Sequence, residues 1–243
     1  MPPTILDTAL YASALRAPVR GAPVERFYVS LDGPRLAPLS GSTPNALVVL
    51  IHGYGSNGDD LISLARMIQP VLPGAAFVAP NAPSQLPRMA AAYQWWPIET
   101  FSMTERAAGA AAAAPVLDAF ITEEMEKAGL TADRVLLVGF SQGTMMALHV
   151  GLRRAEPVAG IIGMSGMLVA PEALESEIKS RPPVLLIHGT QDDVVPFRSM
   201  AMAEKDLTAA GVAVETHASP GIGHSVDQSG LAAAAAFAVR VLG

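Results

Sequence analysis

The chain has 243 residues, enough for a single α/β domain with a buried sheet, and no linker-like stretch divides it. Hydrophobic residues make up 51% and the formal net charge is −6, which excludes a largely disordered chain and offers no basic patch for nucleic acid or an anionic membrane surface. The absence of cysteine removes disulfides, thiolate metal sites and a cysteine nucleophile together.

Residues 1–24 carry several prolines and little periodicity, and are expected to form an extended arm on the body or on a second subunit, one route to a homodimer. The start, Met1-Pro-Pro-Thr-Ile-Leu-Asp7, lacks the positive charge and apolar run of a signal peptide, so a cytoplasmic location is expected. Phe27 to Leu31 reads as a first strand, and residues 32–45 as turns around Gly33-Pro34, Gly41 and Pro44. Ala46 to Ile51 is apolar without alternation, the mark of a strand covered on both faces in a parallel sheet. Val135 to Val138, Gly160 to Met164 and Val184 to Ile187 have the same character, and Ala75 to Ala79 and Val212 to His217 are shorter candidates. Helices are expected over Asp59 to Met67, Thr104 to Lys127, Gln142 to Arg154, Ser199 to Ala210 and Val226 to Leu242. Strands alternating with helices imply a mostly parallel sheet with helices on both faces. Ser102 to Glu105 has capping-box spacing and Gly129 is placed to end the helix that follows, while Pro115 is expected to bend or break it midway. The apolar block Ala107 to Leu117 is too short and too alanine-rich to span a bilayer, so no stable membrane insertion is expected.

Val135-Leu-Leu-Val-Gly-Phe-Ser-Gln-Gly-Thr144 joins a buried strand to an apolar helix through a G-x-S-x-G turn (Gly139, Ser141, Gly143). In that context Ser141 would project alone above the sheet as a nucleophile, with the positive end of the helix beside it; the plainer reading is a serine capping the helix. His52-Gly53-Tyr54-Gly55 leaves the strand Ala46 to Ile51 as a glycine-rich loop. It holds no lysine, so an oxyanion hole formed by the backbone N–H groups of Tyr54 and Gln142 is favoured over a phosphate cradle. Val184 to Ile187 runs into His188-Gly-Thr-Gln-Asp192-Asp193, which puts Asp192 or Asp193 at the carboxyl edge of the sheet as the acid. Gly221-Ile-Gly-His224 precedes the last helix and supplies the base, whereas His52, His149, His188 and His217 suit structural roles better. The order Ser, acid, His is that of α/β-hydrolases.

His52-Gly-Tyr-Gly55, Pro80-Asn-Ala-Pro83 followed by Trp95, Phe140-Ser-Gln-Gly143, His188-Gly-x-x-Asp192-x-x-Val195-Pro196 and Gly223-His224, in this order along Ala46 to Gly243, resemble the phospholipase/carboxylesterase family of α/β-hydrolases, which includes bacterial carboxylesterases and acyl-protein thioesterases. The resemblance implies an α/β-hydrolase fold with Ser141 as nucleophile, Asp192 rather than Asp193 as acid, His224 as base, Tyr54 and Gln142 as oxyanion donors, and Trp95, Met167 and Val194 near the acyl pocket. Met145 and Trp96 are further candidates to line it. The chain departs from the family pattern at Trp95-Trp96-Pro97 and at Thr144, both expected over or beside the pocket.

The expected activity is hydrolysis of short to medium-chain uncharged esters through an acyl-enzyme, with no cofactor and no metal. Cleavage of thioesters or lysophospholipids with longer acyl chains is the alternative within the same chemistry. An inactive hydrolase-fold binding protein is the alternative from another class, disfavoured because Ser141, Asp192 and His224 are all present.

Overall fold

The structure, a computed structural model, describes residues 31–100 and 102–243. The expected arm over residues 1–24 lies outside the described residues, as does the expected first strand except for Leu31, which is buried outside any strand.

The strands are β1 (Arg35–Leu36), β2 (Ala46–Ile51), β3 (Ala75–Val78), β4 (Ser84–Gln85), β5 (Tyr93–Gln94), β6 (Val135–Phe140), β7 (Gly160–Met164), β8 (Val184–Gly189) and β9 (Val214–Ser219). The helices are α1 (Gly58–Ile68), α2 (Met103–Ala128), α3 (Gln142–Gly151), α4 (Pro171–Glu177), α5 (Arg198–Ala209) and α6 (Gln228–Leu242). Seven strands form one sheet in the order β1-β3-β2-β6-β7-β8-β9, all parallel except β1, which runs antiparallel to β3; β4 and β5 form a separate antiparallel ribbon. This is the α/β-hydrolase architecture.

Alternate residues of each buried strand enter different cores, which is why those strands show no polar alternation. Ala46, Val48 and Leu50 of β2 join Leu136 and Val138 of β6 beneath α1 and α6. Leu47, Val49 and Ile51 join Val135 and Leu137 beneath α2, α3 and α5. β9 is the exception: it is an edge strand, largely exposed and carrying Glu215, a charge that discourages further pairing.

Pro115 does not break α2, which runs through it over 26 residues. Pro115 and Ala111, whose carbonyl loses its intrahelical donor, are both exposed, so water can replace the missing bond. Ser102 Oγ accepts the Glu105 N–H at 3.1 Å as a capping box requires, but the Glu105 carboxylate reaches past Ser102 to the N–H groups of Glu99 and Thr100. Gly129 closes the helix in the left-handed conformation at φ 67°. α3 ends at Gly151, three residues before the expected Arg154, where Arg153 N–H turns tightly to the Val150 carbonyl at 3.0 Å.

Candidate active site

Ser141 stands between β6 and α3 with φ 54° and ψ −115°, a conformation that costs a residue with a side chain about 1–3 kcal/mol. Packing enforces it. A Cβ on Gly139 would come 2.4 Å from the Gly143 carbonyl oxygen, and one on Gly143 would come 1.8 Å from that of Ile51, so both glycines flanking Ser141 are fixed by the close approach of backbone to backbone. The Ser141 N–H donates to the Met164 carbonyl at 2.9 Å, tying the turn to β7. Thr144 turns inward, its hydroxyl 2.8 Å from the carbonyls of both Gly139 and Met164. It therefore braces the turn from below and lies away from the cavity above.

The acid candidates separate cleanly. Asp193 is exposed, whereas the Asp192 side chain is buried at the end of β8. Asp192 Oδ1 accepts the N–H groups of Val194 and Val195 at 3.0 and 2.8 Å, and Oδ2 lies 2.8 Å from His224 Nδ1. A carboxylate acceptor at that distance places the His224 proton on Nδ1 and leaves Nε2 as the basic nitrogen. The His224 ring also rests on Phe140, next to Ser141, with centroids 5.0 Å apart.

The sequence pattern gives His188 only a structural role, yet its Nε2 lies 2.8 Å from the Val195 carbonyl and 3.2 Å from Asp192 Oδ2. Its Nε2–H thus supports the same carboxylate and the same turn. The usable signal was its position four residues before Asp192, across a turn that folds back on the strand.

His52 is buried, with Nδ1 2.7 Å from the Gly53 carbonyl and Nε2 accepting the Ala82 N–H at 2.9 Å. One nitrogen donates and the other accepts, which requires the neutral ring, and burial holds its pKa below the ordinary histidine value. His52 so locks the loop after β2 to the Pro80–Pro83 stretch after β3. In that loop a Cβ on Gly53 would meet the Ser141 Cβ at 3.2 Å, which brings Tyr54 beside the serine. Among the described residues neither the Tyr54 nor the Gln142 backbone N–H donates to another main-chain group, so both remain available. The Gln142 side chain is occupied elsewhere: Oε1 accepts the Trp95 N–H at 2.9 Å and Nε2 donates to the Trp96 carbonyl at 3.0 Å.

Ser141, Gln142, His224 and Tyr54 line one cavity of about 310 Å³ with Trp96, Ile98, Arg106, Met145, Val194 and Val195. Of the residues expected at an acyl pocket, Val194 lines it directly. Trp95 faces the other way, its Nε1 donating to the His52 carbonyl at 3.0 Å, and Met167 stands behind Arg106 with its sulfur 3.4 Å from Nη1. A larger cavity of about 490 Å³ lies between α2 and α3, lined by His149 and Arg153 among others, with no serine or cysteine in its walls. Among the described residues no group of histidine and acidic side chains is disposed to hold a metal, and no helix is long and apolar enough to cross a membrane.

Comparison with known proteins places the chain in a family. Residues 39–241 match the family described as Phospholipase/Carboxylesterase. The crystal structure of esterase PE8 is 47% identical, superposes with a TM-score of 0.85 and covers 88% of this chain and 100% of its own. Acyl-protein thioesterase 1 of Neurospora crassa is 30% identical over 198 residues, 74% of this chain and 80% of its own. Acyl-protein thioesterase 1 homolog 1 of Dictyostelium discoideum is 29% identical over 191 residues, 75% of this chain and 84% of its own. The chain belongs to the phospholipase/carboxylesterase family of α/β-hydrolases and is a serine hydrolase.

Proposed function

We propose that this protein is a serine carboxylesterase that hydrolyses short to medium-chain carboxylic esters, with Ser141 as nucleophile, His224 as general base and Asp192 as the acid that orients it. The observation that carries the reading is the 2.8 Å contact between Asp192 Oδ2 and His224 Nδ1, in a cavity that His224 shares with the strained Ser141. His224 Nε2 takes the Ser141 proton as Oγ attacks the ester carbonyl. The N–H groups of Tyr54 and Gln142 hold the oxyanion, each such donor being worth about 3–4 kcal/mol in the transition state. His224 then protonates the departing alcohol, and a water activated by the same nitrogen releases the acid from Ser141. Val194 forms the pocket wall, while Trp95 and Met167 fix the loops and the Arg106 side chain behind it.

The 47% identity to an esterase supports ester cleavage, and a cavity of about 310 Å³ suits a small acyl group. A second reading, cleavage of long-chain thioesters or lysophospholipids, draws on the two relatives named acyl-protein thioesterases and on the exposed Tyr54 and Val194 at the cavity rim, where an acyl tail could continue outward. The test is turnover of p-nitrophenyl acetate, butyrate and palmitate and of palmitoyl-CoA by the wild type and Ser141→Ala, with fluorophosphonate labelling of both. Rates that peak at acetate or butyrate and fall on the order of 10⁴-fold or more in Ser141→Ala support the esterase. A preference for the palmitoyl substrates would transfer the assignment to the second reading. Labelling of Ser141→Ala as strong as that of the wild type would remove Ser141 as nucleophile.

A further inference from the structure

The cavity beside Ser141 is apolar except at its catalytic end and at one other place, the guanidinium of Arg106. Arg106 sits in the first turn of α2, where the helix dipole disfavours a cation, so its position is not one that helix stability would select. Among the described residues it makes no salt bridge. Among the described residues its Nη1 hydrogen-bonds only the thioethers of Met167 at 3.4 Å and Met103 at 3.8 Å, which are weak acceptors for a group carrying five N–H donors. The neighbouring Glu105 carboxylate is engaged with the Glu99 N–H at 3.0 Å and the Thr100 hydroxyl at 2.6 Å, and Asp192 is enclosed behind His224. Among the described residues no carboxylate lines the cavity. The result is a half-buried cation in the wall of an otherwise apolar pocket, held between two methionine sulfurs and presenting unmatched donors.

We infer that Arg106 binds a carboxylate on the substrate, so that the enzyme prefers esters carrying a free carboxylate, such as half-esters of short dicarboxylic acids. A guanidinium pairs with a carboxylate through two parallel N–H···O bonds, and a desolvated pocket strengthens them. Bound in this way, the ester carbonyl is oriented toward Ser141 by a contact remote from the reacting atoms. Ser141 Oγ attacks the acyl carbon as its proton passes to His224, the acyl carbon–oxygen bond breaks and the alcohol leaves with that proton, and water then hydrolyses the acyl-enzyme. A half-ester thus yields a dicarboxylate, a proton and the alcohol, and an ester with its carboxylate on the alcohol half yields the carboxylate of the acyl half, a proton and a hydroxy carboxylate. The inference rests on the esterase reading above and narrows its substrate class.

The test compares kcat/KM for monoethyl glutarate, with the carboxylate on the acyl half, for butyryl glycolate, with the carboxylate on the alcohol half, and for neutral ethyl pentanoate, in the wild type, Arg106→Gln and Arg106→Lys. The expected result is a wild-type preference for one carboxylate ester over ethyl pentanoate, carried mainly by KM. That preference should shrink about 10- to 100-fold in Arg106→Gln, the range for a charge-assisted contact, and return in part in Arg106→Lys. Which of the two carboxylate esters is preferred assigns Arg106 to the acyl or the alcohol side. A wild type that favours ethyl pentanoate over both, or a preference unchanged in Arg106→Gln, overturns the inference and leaves the esterase reading standing. If no ester turns over, the esterase reading fails by itself, and protection of Ser141 from fluorophosphonate decides the site. Monoethyl glutarate slowing labelling more in the wild type than in Arg106→Gln upholds the carboxylate contact, and equal slowing refutes it.

Discussion

Asp192 is held so that its two oxygens face different partners, and this makes a sharp prediction for Asp192→Asn. The N–H groups of Val194 and Val195 require an acceptor at the Oδ1 position, so the new amide must place its NH₂ toward His224. A donor there forces the His224 proton onto Nε2, the nitrogen that accepts the Ser141 proton in the proposed mechanism. We expect kcat/KM to fall on the order of 10⁴-fold with the melting temperature little changed; parallel kinetics and thermal melts would check it, and near-normal turnover would contradict Asp192 as the acid. His188→Ala removes the donor to the Val195 carbonyl and to Asp192, and should cost about 1–3 kcal/mol in urea unfolding, with a smaller loss of activity than Asp192→Asn. The strand and turn residues by themselves could not choose between Asp192 and Asp193, because both follow the same strand, and only the family resemblance singled out Asp192; the turn that buries one and exposes the other is a tertiary fact. Trp95 and Trp96 were hard to separate for a related reason. Both lie in a bend just past the end of β5, and the residue pattern does not say which of the two turns toward the cavity.

At the level of elements, the strands buried on both faces were legible as unbroken apolar runs, and the longer helices as the stretches between them. The elements that escaped were short. β1, β4 and β5 have two residues each and α4 has seven, too few to display a period, and β1 lies within a stretch that reads as turns. Pro115 misled because proline disrupts a helix by local chemistry, while tolerance depends on whether its freed carbonyl faces water. α3 is buried along its whole length, and it carries His149 with burial pushing the pKa down to about 4 and Nδ1 unpartnered. The unfolded chain takes up that proton near pH 6.5 and the folded protein only near 4, so His149 costs nothing at neutral pH and lowers stability progressively as the pH falls between those values. The urea midpoint should therefore drop from pH 7 to pH 5, and His149→Leu should drop less; parallel slopes would show that other groups govern the acid limb. α6 covers the centre of the sheet through Phe237, which lies against Gly160 where a Cβ would meet its ring at 2.8 Å. Phe237→Ala should cost about 3–5 kcal/mol, read from denaturant unfolding.

Across the whole molecule, the site draws residues from several distant excursions: the loop after β2, the turn after β6, the turn after β8 and the loop after β9, all at the carboxyl edge of one mostly parallel sheet. That convergence was legible only because motif order and strand order could be combined, and the Arg106 side chain was missed because it arrives on α2 from outside every motif. The same convergence ties catalysis to global folding. Arg35 of β1 binds Glu124 of α2 through two hydrogen bonds of 3.0 and 2.8 Å, so even the edge of the sheet is fastened to the helical layer that carries Arg106. We propose that the described residues unfold as one cooperative domain. Far-ultraviolet circular dichroism and loss of esterase activity should then give superimposable transitions in urea, and two separated midpoints would break the single-domain reading.

The chain has two tryptophans, adjacent in sequence, and the side chain of Gln142 grips the main chain of both. One lines the cavity and the other closes the loop beneath it. Every photon of indole emission from this protein therefore originates next to Ser141, and no label is needed to watch the site work. Mixing enzyme with a slowly deacylated ester in a stopped-flow fluorimeter should resolve the filling of the cavity and the formation of the acyl-enzyme as successive changes in intrinsic fluorescence.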